Sequence, residues 1–310
     1  MRVHFFVVGE KRREWDVADA FGAGVKALGD EFSASDAGKF EEPDPRIDVA
    51  CVFALKGAAK TILEAYHTMG ARTLLFDKGL IRSSTGLGAP GGYYRVSLDE
   101  FMPIGRIKRM MRDGVSAKRW VATGLRPRDR VRLQTDGPVI YAGSSQKYCD
   151  FHGLGDEHEY AVDLLKQIRK KTPKGRDVIY RPKPSFDVAK PVEGTIFSRN
   201  LGQPSTTTRI GTLGDLLKIP AYALVTHGSH AGIDAILAGV PAIVLGDGAA
   251  APVSGTDLAD LMDPATLSFP DREKRFSWLS ALAWWQYTVP EMTDGAAWRF
   301  LREEMERPPA

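Results

Sequence analysis

The chain has 310 residues, 43% hydrophobic and 26% charged, and carries a net charge of +3 from 42 basic and 39 acidic side chains. Such a composition excludes a disordered chain, and the length suits two α/β domains of roughly 130–150 residues each. No apolar run approaches the roughly 20 residues of a membrane-spanning helix, and two cysteines, Cys51 and Cys149, speak against a disulfide framework.

In chain order, residues 3–8 are an apolar run that ends at Gly9-Glu-Lys-Arg-Arg13. This is the pattern of a first strand and its loop, not of a leader peptide, and a cytoplasmic protein is expected. Trp15, Ala18, Phe21, Val25 and Leu28 recur at helical spacing, with Gly29 where that helix should stop. A second strand is predicted over 47–55, with Cys51 as a buried thiol. A helix over 58–69 and a third strand over 72–76 follow, and Asp77-Lys-Gly79 falls at the end of that strand. Alternating strands and helices imply parallel pairing with right-handed crossovers. Ligands in such sheets gather beyond the carboxyl ends of the strands, which makes Asp77 a candidate for chemistry.

Between 83 and 135 the rhythm lapses into a loop with short helices, glycine- and serine-rich over 83–92. From Arg106 to Arg132, ten Lys and Arg stand against Asp113 and Asp129, a local +8 that leaves −5 for the rest of the chain. A field that concentrated is the footprint of a polyanionic partner, or of a solvated connecting segment.

The alternation then restarts. Strands are predicted over 138–142, 177–181, 221–226 and 241–245, and helices over 157–170, 213–219 and 229–237. The segment 276–306 is helical, with Trp278, Leu282 and Trp285 at helical spacing and Trp298 near its end. An aromatic stripe at that spacing is core packing, expected here to close the domains on one another. The predicted division is 1–135, 136–275 and a helix within 276–310 that crosses back.

Thr226-His-Gly-Ser-His230 joins a strand to a helix. Ser229 is placed to cap the helix, and Gly228 to let a ligand approach the backbone. Free N–H groups at the positive end of a helix make such a turn an anion site, and Gly232 lies just inside that helix. In Arg181-Pro-Lys-Pro184 the prolines hold the chain extended, so that Arg181 and Lys183 can meet phosphate oxygens. His227, His230 and Asp234 lack the further ligands of a zinc site. Neither a phosphate loop, a dinucleotide fingerprint nor a Gly-x-Ser-x-Gly elbow is present.

Together these segments resemble glycosyltransferases of the GT-B architecture, over most of the chain. Residues 229–241 are similar to the donor-binding segment of capsule-type sugar transferases. Arg181-Pro-Lys-Pro184 is similar to their Arg/Lys-Pro-His-Pro segment, with Lys183 in place of the histidine and so with no proton-carrying role expected there. Asp77-Lys-Gly79 answers the acidic-x-Gly pattern of bacterial sialyl- and Kdo-type transferases. Tyr93-Tyr-Arg-Val-Ser-Leu-Asp-Glu-Phe-Met-Pro103, with Trp285-Gln-Tyr-Thr-Val-Pro-Glu-Met292, resembles phage-encoded transferases, some of which decorate hydroxymethylated pyrimidines in DNA.

The resemblance implies two facing doubly wound domains around a nucleotide-sugar cleft. It implies a UDP-sugar donor held by Arg181, Lys183, Thr226, His227, Gly228, Ser229, His230 and Gly232, with Asp77 as general base and no metal required. A hydroxymethylated base in phage DNA is the expected acceptor, steered by Arg95 and the basic segment. A capsule or cell-surface glycan is the alternative acceptor. A sugar-nucleotide epimerase and a non-catalytic nucleotide- or nucleic-acid-binding protein are the other readings. No membrane partner is expected.

Overall fold

The structure is a computed structural model that describes residues 1–9, 12–81, 92–129, 137–183, 189–199, 208–210 and 213–307. Glu10, Lys11, residues 83–91, Arg130, Arg132 and Pro184 of the segments singled out above lie outside the described residues. The chain forms two compact units, Met1–Thr123 with Leu279–Ala310, and Gly124–Trp278. Residues 124–129, expected with the first half, therefore belong to the second unit.

The first unit opens with strand β1 (Arg2–Val7), helix α1 (Arg12–Ala27) and strand β2 (Glu31–Asp36). It continues through β3 (Val49–Phe53), α2 (Ala59–Thr68), β4 (Arg72–Lys78), β5 (Tyr94–Leu98), α3 (Ile104–Asp113) and α4 (Lys118–Ala122). All five residues of β3, Val-Ala-Cys-Val-Phe, are buried, as expected of a parallel strand covered on both faces. Two strands depart from the sequence reading. β2, Glu-Phe-Ser-Ala-Ser-Asp, lies at the sheet edge with no fully buried residue, so it lacks the apolar run that marks its neighbours. β5 falls in the stretch expected to be loop and pairs antiparallel with β4.

The second unit contains β6 (Val139–Ala142), α5 (Gln146–His152), α6 (Glu157–Lys171), β7 (Val178–Arg181), β8 (Ile196–Arg199) and β9 (Thr208–Ile210). It goes on through α7 (Leu213–Leu216), β10 (Ala223–Thr226), α8 (Ala231–Leu237), β11 (Ala242–Val244) and most of α9 (Arg272–Ala283). The strand order is β11-β10-β6-β7-β8-β9, parallel throughout. From β6 the chain moves outward through β7, β8 and β9, then returns to the other side of β6 as β10. The order therefore reverses between β6 and β10. In an open parallel sheet that reversal splays the loops apart and opens a crevice for ligands.

The chain ends in the first unit with β12 (Gln286–Tyr287), α10 (Val289–Thr293) and α11 (Ala296–Glu306). The expected single crossing helix is thus three helices and a short strand that pairs antiparallel with β5. That first sheet runs β12-β5-β4-β3-β1-β2. α10 packs on α1 at Gly24, where a side chain would strike the Met292 carbonyl and Gly295. Trp278, Trp285 and Trp298 are all fully buried, so this aromatic set is core packing. Among the described residues no helix is long and apolar enough to cross a membrane.

Candidate functional site

Ala142, Arg181, Thr226 and Val244 share one row across β6, β7, β10 and β11, at the carboxyl ends of these strands. The loops that follow them surround the reversal point of the second sheet. Thr226 builds this end from beneath. Its Oγ1 donates to the Ala142 carbonyl at 3.0 Å, joining the two strands that flank the reversal, and accepts from Ser229 N at 3.2 Å. The residue is fully buried, so it shapes the turn and presents nothing to solvent. Leu245 N to Thr226 O (3.0 Å) and Gly246 N to His227 O (2.8 Å) carry the β10–β11 pairing past the strand ends.

The turn differs from its sequence reading in three respects. α8 begins at Ala231 with His230 as its cap residue, while Ser229 Oγ accepts from Ala231 N at 3.2 Å from one place further back. The open side of Gly228 is filled by the Tyr148 hydroxyl, so this glycine makes room for a tyrosine ring. Gly232 faces Ala250 and Val244, which sets the close packing of α8 on β11. His227, Ser229 and His230 are the half-buried members of the segment.

The two cations of Arg181-Pro-Lys183 are placed differently. Lys183 is exposed, and its Nζ donates to Ser145 Oγ at 3.3 Å, at the mouth of the β6 loop. Ser145 is the N-cap of α5, accepting from Tyr148 N at 3.4 Å. Arg181 is buried, and its guanidinium donates to the Ser198 carbonyl of β8 at 3.4 Å; burial pulls its pKa down. Lys183 and Ser145 are therefore the polar pair that faces outward, with Arg181 a fixed positive charge behind them.

Sequence reasoning missed the aromatic frame of His227. The Tyr160 hydroxyl on α6 contacts His227 Nδ1, and Tyr148 on α5 lies edge-on to the same ring at 5.6 Å. Gly246 leaves the space that the Nε2 edge of the ring fills. Burial pulls the His227 pKa down, with His152 nearby acting in the same direction and Asp247 opposing. A cavity of about 610 Å³ along α6 is lined by His227 and Tyr160, with Asp156, Glu159, Asp163 and Asp257 and the lysines Lys170 and Lys171 on its walls. Among the described residues no three His, Cys, Asp or Glu side chains gather as metal ligands.

In the first unit, Asp77 ends β4 about one-third exposed, accepting from Lys78 N at 2.8 Å and facing Arg95 Nη2 at 3.5 Å. Gly79 donates its N–H to the Tyr93 carbonyl at 2.8 Å, an approach that leaves no room for a side chain. Arg95 is fully buried, donating also to Ser97 Oγ at 3.2 Å and the Phe101 carbonyl at 2.6 Å. It cannot steer an acceptor.

Three of the ten cations of the basic segment are likewise spent inside the fold, while Lys108, Arg112, Lys118, Arg126 and Arg128 are exposed. Arg106 is buried against Asp99 and Glu304, Arg109 pairs with Glu304, and Arg119 binds Glu291 and the carbonyls of Ala283 and Gln286. Counting charges in sequence cannot separate such fasteners from a surface stripe.

No protein-family model and no curated protein sequence matches the chain. Among solved structures it is similar to a Thermosulfurimonas dismutans KpsC β-Kdo 2,4-transferase, at TM-score 0.53 and 13% identity over 91% of this chain and 92% of that one. It is also similar to the β-Kdo 2,7-transferase of the same organism's KpsC, at TM-score 0.51 and 13% identity over 97% of this chain and 99% of that one. Two Rossmann-like α/β units with this likeness define the fold as GT-B. At 13% identity the likeness concerns the fold alone.

Proposed function

We propose that this protein is a glycosyltransferase that moves a sugar from a nucleotide-sugar donor to a hydroxyl group of a glycan. The observation that carries the reading is the order reversal between β6 and β10, with the Thr226–Ala142 bond beneath it and Lys183, Ser145 and the 227–230 turn around it. A parallel sheet offers its ligand crevice at such a point, and an outward lysine there suits phosphate.

In the proposed reaction Asp77 takes the proton of the acceptor hydroxyl and the oxygen attacks the anomeric carbon. The bond from that carbon to the phosphate oxygen breaks, and the nucleotide leaves with the electron pair. Lys183, Arg181 and the N–H groups of the 227–230 turn hold the charge that develops on the departing phosphate. A glycan acceptor is preferred to DNA because Arg95, Arg106, Arg109 and Arg119, part of what gave the DNA reading its weight, are engaged within the fold. The two KpsC structures carry the name of sugar transferases, in keeping with sugar transfer.

Calorimetric titration with UDP, GDP, TDP and CMP tests the donor half. One of them should bind, UDP being the first choice, and Lys183→Ala should weaken it about tenfold, the loss expected for one charge-assisted contact. If none binds, or Lys183→Ala binds as wild type does, the donor site lies elsewhere.

A further inference from the structure

Tyr160 and His227 are 67 positions apart, yet their side chains meet with ring centroids 5.4 Å apart and planes at 71°. α6 makes Tyr160 a rigid partner. Asp156 caps the helix by accepting from His158 N at 2.8 Å and Glu159 N at 3.0 Å, and Tyr160 N donates to the Asp156 carbonyl at 2.9 Å. The imidazole is equally confined, with the Tyr148 ring on one side and Gly246 beside its Nε2–Cδ2 bond.

The contact has a direction. A phenol hydroxyl is a good donor and a poor acceptor, whereas the bare nitrogen of a neutral imidazole is among the best neutral acceptors in a protein. Tyr160 O–H therefore donates to Nδ1. A neutral ring has one proton, so the proton sits on Nε2, and the hydrogen bond at one nitrogen sets the role of the other. The opposite arrangement would turn the phenol into an acceptor and leave its own proton without the nitrogen.

We propose that Tyr160 is a positioning residue that fixes His227 as the Nε2–H tautomer, so that the ring offers a proton donor to an oxygen of the nucleotide bound at the end of β10. This rests on the reading of the second unit as a nucleotide-sugar site. The ionisation states agree with it. Burial pulls His227 down towards the neutral form, and burial pushes the Tyr160 hydroxyl up to about 12, so it keeps its proton at neutral pH.

The test is a pair of measurements on the full chain. Nitrogen-15 spectra of imidazole-labelled protein, assigned with His227→Asn, report which ring nitrogen carries the proton. Calorimetry with UDP, and with pyrophosphate as a second probe, reports the ligand contact. Wild type should show Nε2–H at His227, and Tyr160→Phe should populate the other tautomer and weaken UDP binding about five- to tenfold. His227→Gln, which keeps an amide N–H near the Nε2 position, should bind UDP better than His227→Asn. A wild-type Nδ1–H tautomer overturns the proposal even if UDP binds, and so does a Tyr160→Phe variant with unchanged tautomer and affinity. An Nε2–H tautomer in a protein that binds none of UDP, GDP, TDP, CMP and pyrophosphate overturns the nucleotide-site reading, and with it the ligand-facing role of His227.

Discussion

The buried guanidinium of Arg95 stands 3.5 Å from the carboxylate of Asp77, Nη2 to Oδ2, and is held there by Ser97 Oγ and the Phe101 carbonyl. A cation taken out of water and fixed beside a carboxylate holds that carboxylate in place. Burial pulls the Arg95 pKa down while Asp77 pushes it up, so the two groups support each other's charge. Arg95→Met should therefore lower turnover, and Arg95→Lys, which keeps a cation beside Asp77, should lower it less. Equal losses in the two variants would show Arg95 to be scaffolding alone.

Glu304 on α11 is fully buried and gathers Arg106, Arg109 and Arg307. Removing the one carboxylate leaves Arg106 buried without it, and breaking a buried pair from one side costs on the order of 3–5 kcal/mol. Glu304→Ala should lose about that much in denaturant unfolding. A loss below about 1 kcal/mol, the scale of a surface pair, would mean that water reaches the cluster.

Arg119 donates to the Ala283 carbonyl (3.1 Å), the Gln286 carbonyl (2.7 Å) and Glu291 (2.7 Å), and lies over the Tyr287 ring at 4.4 Å. Its role is to tie α4 to β12 and α10. Arg119→Ala should lower the melting temperature and leave the affinity for duplex DNA unchanged. If the variant melts like wild type but loses DNA binding that weakens steeply with salt, the basic segment serves a nucleic acid after all.

Burial pulls two histidines below their ordinary value of 6.5, His4 between Ser33 and Ser35, and His227 between Tyr160 and Tyr148. In the window between the depressed value and 6.5 the unfolded chain binds more protons than the folded one. Stability therefore falls as the pH drops through that window and is regained above it. Melting temperatures should decline from pH 6.5 towards pH 5, and His4→Asn combined with His227→Asn should flatten that slope. An unchanged slope in the double variant would place the responsible protons elsewhere.

The parallel strands β1, β3, β4, β6, β7, β10 and β11 were readable because burial on both faces demands unbroken apolar runs, as in Val49–Phe53 and Ala223–Thr226, whereas β8 and β9 were not read as strands. β2 escaped because an edge strand tolerates Ser and Asp, and β5 and β12 because antiparallel pairing brings together Arg95 and Gln286 across nearly two hundred positions. The 226–230 turn was readable from strand, glycine and helix in sequence. Its Tyr160 and Tyr148 supports were not, since nothing local in Glu157–Lys171 or Gln146–His152 points at His227. Part of the basic segment was unreadable for the same reason: Glu291 and Glu304, which pair with Arg106, Arg109 and Arg119, lie far along the chain.

Sugar transfer itself is the claim on which the rest depends. The direct measurement incubates the chain with UDP-, GDP-, TDP- and CMP-activated sugars and a panel of oligosaccharides and hydroxymethylated DNA, then weighs acceptors and nucleotides. An oligosaccharide should gain the mass of one sugar residue with equal release of nucleotide, and Asp77→Asn should abolish the gain. Donor that is never consumed, or is isomerised while no acceptor gains mass, would contradict it.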